Sequence, residues 1–158
     1  MHYKKIIIGW FFLFFLQPVF AAEQARILIF VSFSMPEKSL KTWMYDADKI
    51  QAPLIIRGLI NNSFKETTTA IYKLVKDGSG GMQIDPTLFN RFQIEKVPAV
   101  VVTQSESCLP NQSCIDNYDV FYGDVGLEYA LKRIAREKDE LSVVAEEASQ
   151  KLKEVRHA

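Results

Sequence analysis

Cys108 and Cys114 are the only thiols in the sequence, with five residues between them that include Pro110 and Asn111. A cysteine used for thiol–disulfide exchange needs thiolate character, which a helix N-terminus or a neighbouring cation supplies. A Cys-x5-Cys pair in a turn-forming loop has neither, so the pair reads as a structural disulfide. Closing so short a loop stabilises by about 2 kcal/mol in the chain-entropy model. The alternative is a redox pair serving a thiol–disulfide oxidoreductase or an isomerase-like helper. A second candidate is Ser34-Met35-Pro36-Glu37, which precedes a helical apolar pattern. Ser34 with Glu37 three residues later is a capping box, and Pro36 falls in the first turn, where its missing N–H costs nothing. The third is Arg57, which closes an apolar run just before Gly58. A charge there must be paired or must reach the surface. Since α/β folds place sites at strand C-termini, Arg57 is either a contact residue near the Ser34 and Pro98 loops or a structural ion pair with Asp85 or Glu37.

Other chemistries find no residues. There is no Ser/His/Asp constellation, no glycine-rich loop with phosphate spacing after a strand, and no metal-ligand pattern. His2 and His157 stand at the two ends of the chain. No cofactor or metal is expected. Lys+Arg and Asp+Glu are both 19, which argues against a nucleic-acid partner, since such a protein carries a basic surplus. Asn61-Asn62-Ser63 and Asn111-Gln112-Ser113 match the glycosylation sequon, a triplet common by chance.

Residues 1–21 read as a signal peptide. Lys4 and Lys5 make a positive start, Ile6 to Leu16 is apolar, Gln17-Pro18 breaks the run, and Val19-Phe20-Ala21 suits a signal peptidase, with cleavage after about Ala21. The other reading is an uncleaved anchor, for which Ile6 to Leu16 is short. The membrane therefore enters only before cleavage. Cleavage leaves 17 basic against 19 acidic side chains, a net charge of −2, and places the cysteines where disulfides persist.

The elements that must position these residues follow in order. Arg26 to Phe33 is a nearly all-apolar strand, as a central strand covered on both faces should be. A helix to about Ile50 buries Leu40, Trp43, Met44, Ala47 and Ile50 on one face. Pro53 opens a strand over Leu54 to Arg57. Ser63 and Glu66 box the start of a helix over Phe64 to Lys76, with Thr67, Ile71, Leu74 and Val75 inward, and Asp77 to Gly81 stops it. Met82 to Ile84 is a short extended piece. Asp85 caps a helix whose first residue is Pro86, and Leu88, Phe89 and Phe92 point inward. Val97-Pro98 leads into the buried strand Ala99 to Val102, the proline standing where a ladder donor is not needed. Asn117 to Tyr122 alternates and forms a hairpin with that strand, the cysteine loop at its tip. Asp124 can cap a last helix. Leu127, Leu131, Ile134, Leu141, Ala145, Ala148, Leu152 and Val155 continue that helix as a thin apolar seam. Residues 137–158 form a charged tail, either a coiled-coil arm or a solvated, fraying end.

The order β-α-β-α-(β)-α-β-β-α, with two parallel crossovers and then a hairpin, resembles thioredoxin-like domains. So does the helix, tight loop, Val97-Pro98 and buried strand. The fold expected is α/β: a three-layer sandwich on a mixed central sheet over residues 22–136, with an extended C-terminal helix. In that resemblance Ser34-Met35-Pro36-Glu37 takes the place of a C-x-P-C, so no dithiol enzyme is implied. The pieces "VSFSMPEKSL", "LIIRGL", "IDPTLFNRFQIEKVPAVVV" and "GDVGLEYAL", in this order, resemble the TrbC family of type-F conjugative transfer proteins. That resemblance implies a non-catalytic periplasmic factor in conjugative pilus assembly within a type IV secretion system. It would act by protein contact beside a TraW-like protein and other assembly components. The implied partner-binding surface is Ser34, Met35, Pro36, Arg57, Gly58, Val97 and Pro98, the face on which redox relatives grip an extended polypeptide.

Overall fold

The computed structural model describes residues 26–75, 81–104, 117–137 and 139–156. The expected signal peptide and both cysteines, with their expected disulfide, lie outside the described residues. Five strands, β1 (Arg26–Phe30), β2 (Leu54–Ile56), β3 (Met82–Ile84), β4 (Ala99–Thr103) and β5 (Tyr118–Tyr122), form one mixed sheet in the order β3-β2-β1-β4-β5. β1, β2 and β3 run parallel, whereas β4 is antiparallel to both β1 and β5. This is the parallel-then-hairpin plan that the sequence order implied. The hairpin register runs from Ala99 opposite Tyr122 to Thr103 opposite Tyr118.

The period of two along β1 sorts its side chains. Ile29 and Val31 face a core built with α1 (Glu37–Ile50) and two C-terminal helices, where Leu40, Trp43 and Met44 are buried. Leu28 and Phe30 face the opposite side, where α3 (Pro86–Arg91) supplies Phe89 and the following turn supplies Phe92 and Ile94. There Phe89 and Phe92 meet the Phe30 ring edge-on at 4.9 and 6.2 Å between centroids, an aromatic geometry that adds to area burial. The sheet therefore lies between two helical layers. α2 (Phe64–Leu74) sits beside α1 and buries Thr67. Its cap is half as expected. Ser63 Oγ accepts from the Glu66 N–H at 3.2 Å, but the Glu66 carboxylate turns to the Asn61 side-chain amide at 2.9 Å rather than back to Ser63.

Three local expectations are corrected. Ser34 is not the N-cap of α1. Ser32 to Met35 forms a turn, closed by the Met35 N–H donating to the Ser32 carbonyl at 3.0 Å, and the cap position falls to Pro36, which has no side-chain acceptor. Ser34 is used inside that turn, its N–H and hydroxyl meeting Ser32 Oγ at 3.2 and 3.0 Å. Asp124 does not cap the last helix either, because Gly126 holds that position. Finally, the C-terminal seam is not one helix. α4 (Leu127–Ile134) ends, and α5 (Glu140–Arg156) begins after a turn. Asp139 starts the new helix, accepting from the Ser142 N–H at 2.8 Å. α5 then folds back on α4, α1 and β4, with Leu141, Ala145, Ser149 and Leu152 fully buried. Small seam residues, which alone suggested a fraying tail, let the α5 backbone lie close to its neighbours. The expected boundary between 22–136 and 137–158 falls in the turn, and α5 shares the core of the preceding helices. No described helix is long and apolar enough to cross a membrane.

Candidate functional site

The parallel strands β1 and β2 end on the same side of the sheet, and the chain entering β4 arrives there. A groove of about 480 Å³ lies between them. One wall is Val31, Ser32 and Phe33, another Ile56 to Ile60, and the third Phe89, Ile94, Glu95 and Val97. The Val97-Pro98 peptide bond is cis. Pro98 itself is buried, and its carbonyl accepts from the Gly123 N–H at 3.1 Å. That bond ties the groove wall to the end of β5.

Arg57 is exposed, as a charge at a strand end must be to stay hydrated. Its guanidinium lies over the Phe89 ring, 4.9 Å from the centroid, and donates from Nη2 to the Ile94 carbonyl. The ion pair expected with Asp85 or Glu37 is not made. Glu37 pairs with Lys41 at 2.6 Å, and the Lys41 hydrogen bond and charge hold its carboxyl below the usual range. Asp85 caps α3 as expected, Oδ1 accepting from the N–H groups of Thr87 and Leu88 at 2.9 and 3.2 Å.

The expected contact residues divide between two places. Arg57, Gly58 and Val97 share the groove, and Pro98, next to Val97, is buried and does not line it. Ser34 and Pro36 are exposed on the turn outside it, whereas Met35 is 9 % exposed and belongs to the α1 core. Met35, expected as a contact residue, is turned inward and packs in the core beneath α1. Leu59, next to Gly58, also lines the groove, and sequence reasoning missed Phe33, Ile60 and Ile94. Phe33 is the expected end of a strand that stops at Phe30, and Ile60 and Ile94 lie in connecting segments that a strand reading leaves out. Also missed was Asp124, which accepts from Ser39 Oγ at 2.7 and 2.6 Å and from Trp43 Nε1 at 2.8 Å. It fastens the end of β5 to the first turns of α1. Beyond the groove, partial burial pushes the Tyr122 hydroxyl up, with smaller effects from Tyr118 and Glu95.

Chemically, the groove offers apolar walls, backbone, the Ser32 hydroxyl, the Glu95 carboxylate and one guanidinium. Among the described residues no group of His, Cys, Asp and Glu could hold a metal, and both histidines lie outside the described residues.

Residues 29–134, spanning the sheet and the groove, match the family model described as "Type-F conjugative transfer system pilin assembly protein". The chain belongs to this family. Over 113 residues it is also 40 % identical to the periplasmic protein TrbC of Escherichia coli (strain K12), an alignment covering 71 % of this chain and 49 % of that protein. The chain thus spans about half the length of the curated relative it matches. No solved structure matches significantly. The family match includes every groove residue and ends at the last residue of α4, leaving α5 outside it.

Proposed function

We propose that this TrbC-family chain is a non-catalytic periplasmic assembly factor for a conjugative pilus, working by gripping an extended segment of a partner protein in the groove. The observation that carries this reading is the family match across the groove-bearing residues. Two structural features support the mode of action. The helix start beside the groove presents Ser34 and Pro36 rather than a thiol. The backbone of Val97, at the groove edge and outside β4, leaves main-chain groups for an added strand. Its partners in this reading are other pilus assembly components, a TraW-like protein among them. The leader is removed after about Ala21, and Cys108–Cys114 is a structural disulfide. Deleting the gene from a conjugation-competent host should abolish pili, and supplying the C108S/C114S chain should restore them. Normal piliation of the deletion strain would sink the assembly role. Failure of the stable double-serine chain to restore pili would sink the non-catalytic one.

A further inference from the structure

Arg57 is held on one side only. Its guanidinium has five N–H donors. Among the described residues its contacts are one hydrogen bond, to the Ile94 carbonyl, and the Phe89 ring. Glu95 also lines the groove but makes no ion pair with it, and Glu37 is engaged by Lys41. The cation thus has its position fixed and its charge unmatched by any described carboxylate. Fixing matters, because the usual weakness of a surface ion pair comes partly from the side-chain entropy lost in holding it. Here the Phe89 ring and the Ile94 carbonyl have already restricted the side chain, so less is lost when an anion arrives.

The walls beside it are apolar: Val31, Phe33, Ile56, Leu59 and Val97. A ligand filling them would displace water from around the guanidinium and strengthen any charge pair there. A planar guanidinium accepts a carboxylate through two parallel N–H···O bonds. Glu95 on the same groove opposes a second negative charge.

We propose that the groove recognises a single carboxylate on an apolar, extended segment of a partner protein: an Asp or Glu side chain received by Arg57, flanked by aliphatic side chains that occupy the walls. This rests on the groove reading above and adds the chemical class of what enters it.

The test uses the purified periplasmic protein with acetyl-Ala-Leu-Asp-Leu-Ala-amide and its Asn and Lys counterparts, following backbone amide signals by NMR titration. The Asp peptide should shift the amides of Gly58, Glu95 and Val97 and bind about tenfold more tightly than the Asn peptide, as expected for a hydrogen bond to a charged group. Arg57→Gln should remove that preference, bringing the Asp and Asn peptides to equal affinity, and Arg57→Lys should keep part of it. Equal binding of the Asp and Asn peptides, with shifts still at the groove, would overturn carboxylate recognition and leave the groove standing. Shifts confined to β5, or no shifts with any peptide, would overturn the groove reading itself.

Discussion

α1 and α3 both leave the C-terminal ends of parallel strands, β1 and β3, yet their first turns are secured by residues at very different distances along the chain. α3 relies on Asp85, immediately before Pro86, whose carboxylate accepts from the N–H groups of Thr87 and Leu88. α1 has no side-chain cap, and its tie is Asp124, 85 residues from Ser39 and 81 from Trp43. A cap made by a neighbour forms whenever the local chain turns into a helix. A tie to Asp124 forms only once the hairpin has brought β5 alongside β4. The start of α1, next to the groove, is therefore coupled to the far half of the sheet, while the start of α3 is not.

The sharpest way to break the remote side of this contrast is at Trp43, which is 2 % exposed. Trp43→Ala should cost about 3–5 kcal/mol in urea unfolding, as large-to-small core changes do. Trp43→Phe keeps most of the packing and removes only the Nε1 bond to Asp124, and should cost about 1 kcal/mol. If both cost the same, the hydrogen bond rather than the packing holds α1. The next effect concerns α5, a second element held by remote contacts. Leu152→Ala should cost about 2–5 kcal/mol, whereas Val143→Ala, at an exposed position of the same helix, should stay within about 0.5 kcal/mol. Equal, negligible effects would return α5 to the status of a solvated tail.

Smaller again is the tie itself. Asp124→Ala leaves Trp43 Nε1 without its acceptor, which should cost about 1–3 kcal/mol. A double-mutant cycle with Ser39→Ala should give a coupling of at least about 0.5 kcal/mol, because the two side chains are in direct contact. Additive effects would mean that the bonds to Asp124 are worth no more than bonds to water.

How much of this was legible in the sequence follows the same division. β1, β4 and the hairpin could be read because apolar runs and alternation are written in consecutive residues. The Asp85 cap could be read because cap and helix are adjacent. The start of α1 misled because Ser34 and Glu37 have capping-box spacing, while the turn from Ser32 to Met35 claims Ser34 first. The break before α5 was obscured by the charged run around Glu137, in which Asp139 is one acid among several. At the groove, Arg57 was found from strand-end logic, and Gly58 and Val97 from the resemblance to thioredoxin-like domains. Phe33, Ile60 and Ile94 were not, since nothing in a residue's neighbours along the chain says which loops converge in space.

The last contrast is in pH. Partial burial pushes the Asp85 carboxyl upward, but the Thr87 hydroxyl, the Leu88 and Thr87 N–H groups and the Gln83 amide outweigh it and hold the carboxyl below its ordinary 3.8. A depressed carboxyl contributes stability that is fully present above the unfolded value and is lost as pH falls through the folded one. The Asp85 cap should therefore be intact at neutral pH and fade below about pH 3.8. Asp119 works in the opposite sense. Burial, and then the Asp139 charge, raise its carboxyl, so its folded form prefers the proton and the protein gains stability as pH falls toward 3.8. Comparing wild type with Asp85→Asn cancels the Asp119 slope, because both chains carry it. Asparagine is as good an N-cap as aspartate, so the two should differ little once pH falls below the folded value, and wild type should pull ahead as pH rises from there toward 3.8 and hold its lead above it. Asp85→Ala should lose about 1 kcal/mol at neutral pH. A parallel pair of pH profiles for wild type and Asp85→Asn would show that the charge on Asp85 adds nothing to its hydrogen bonds.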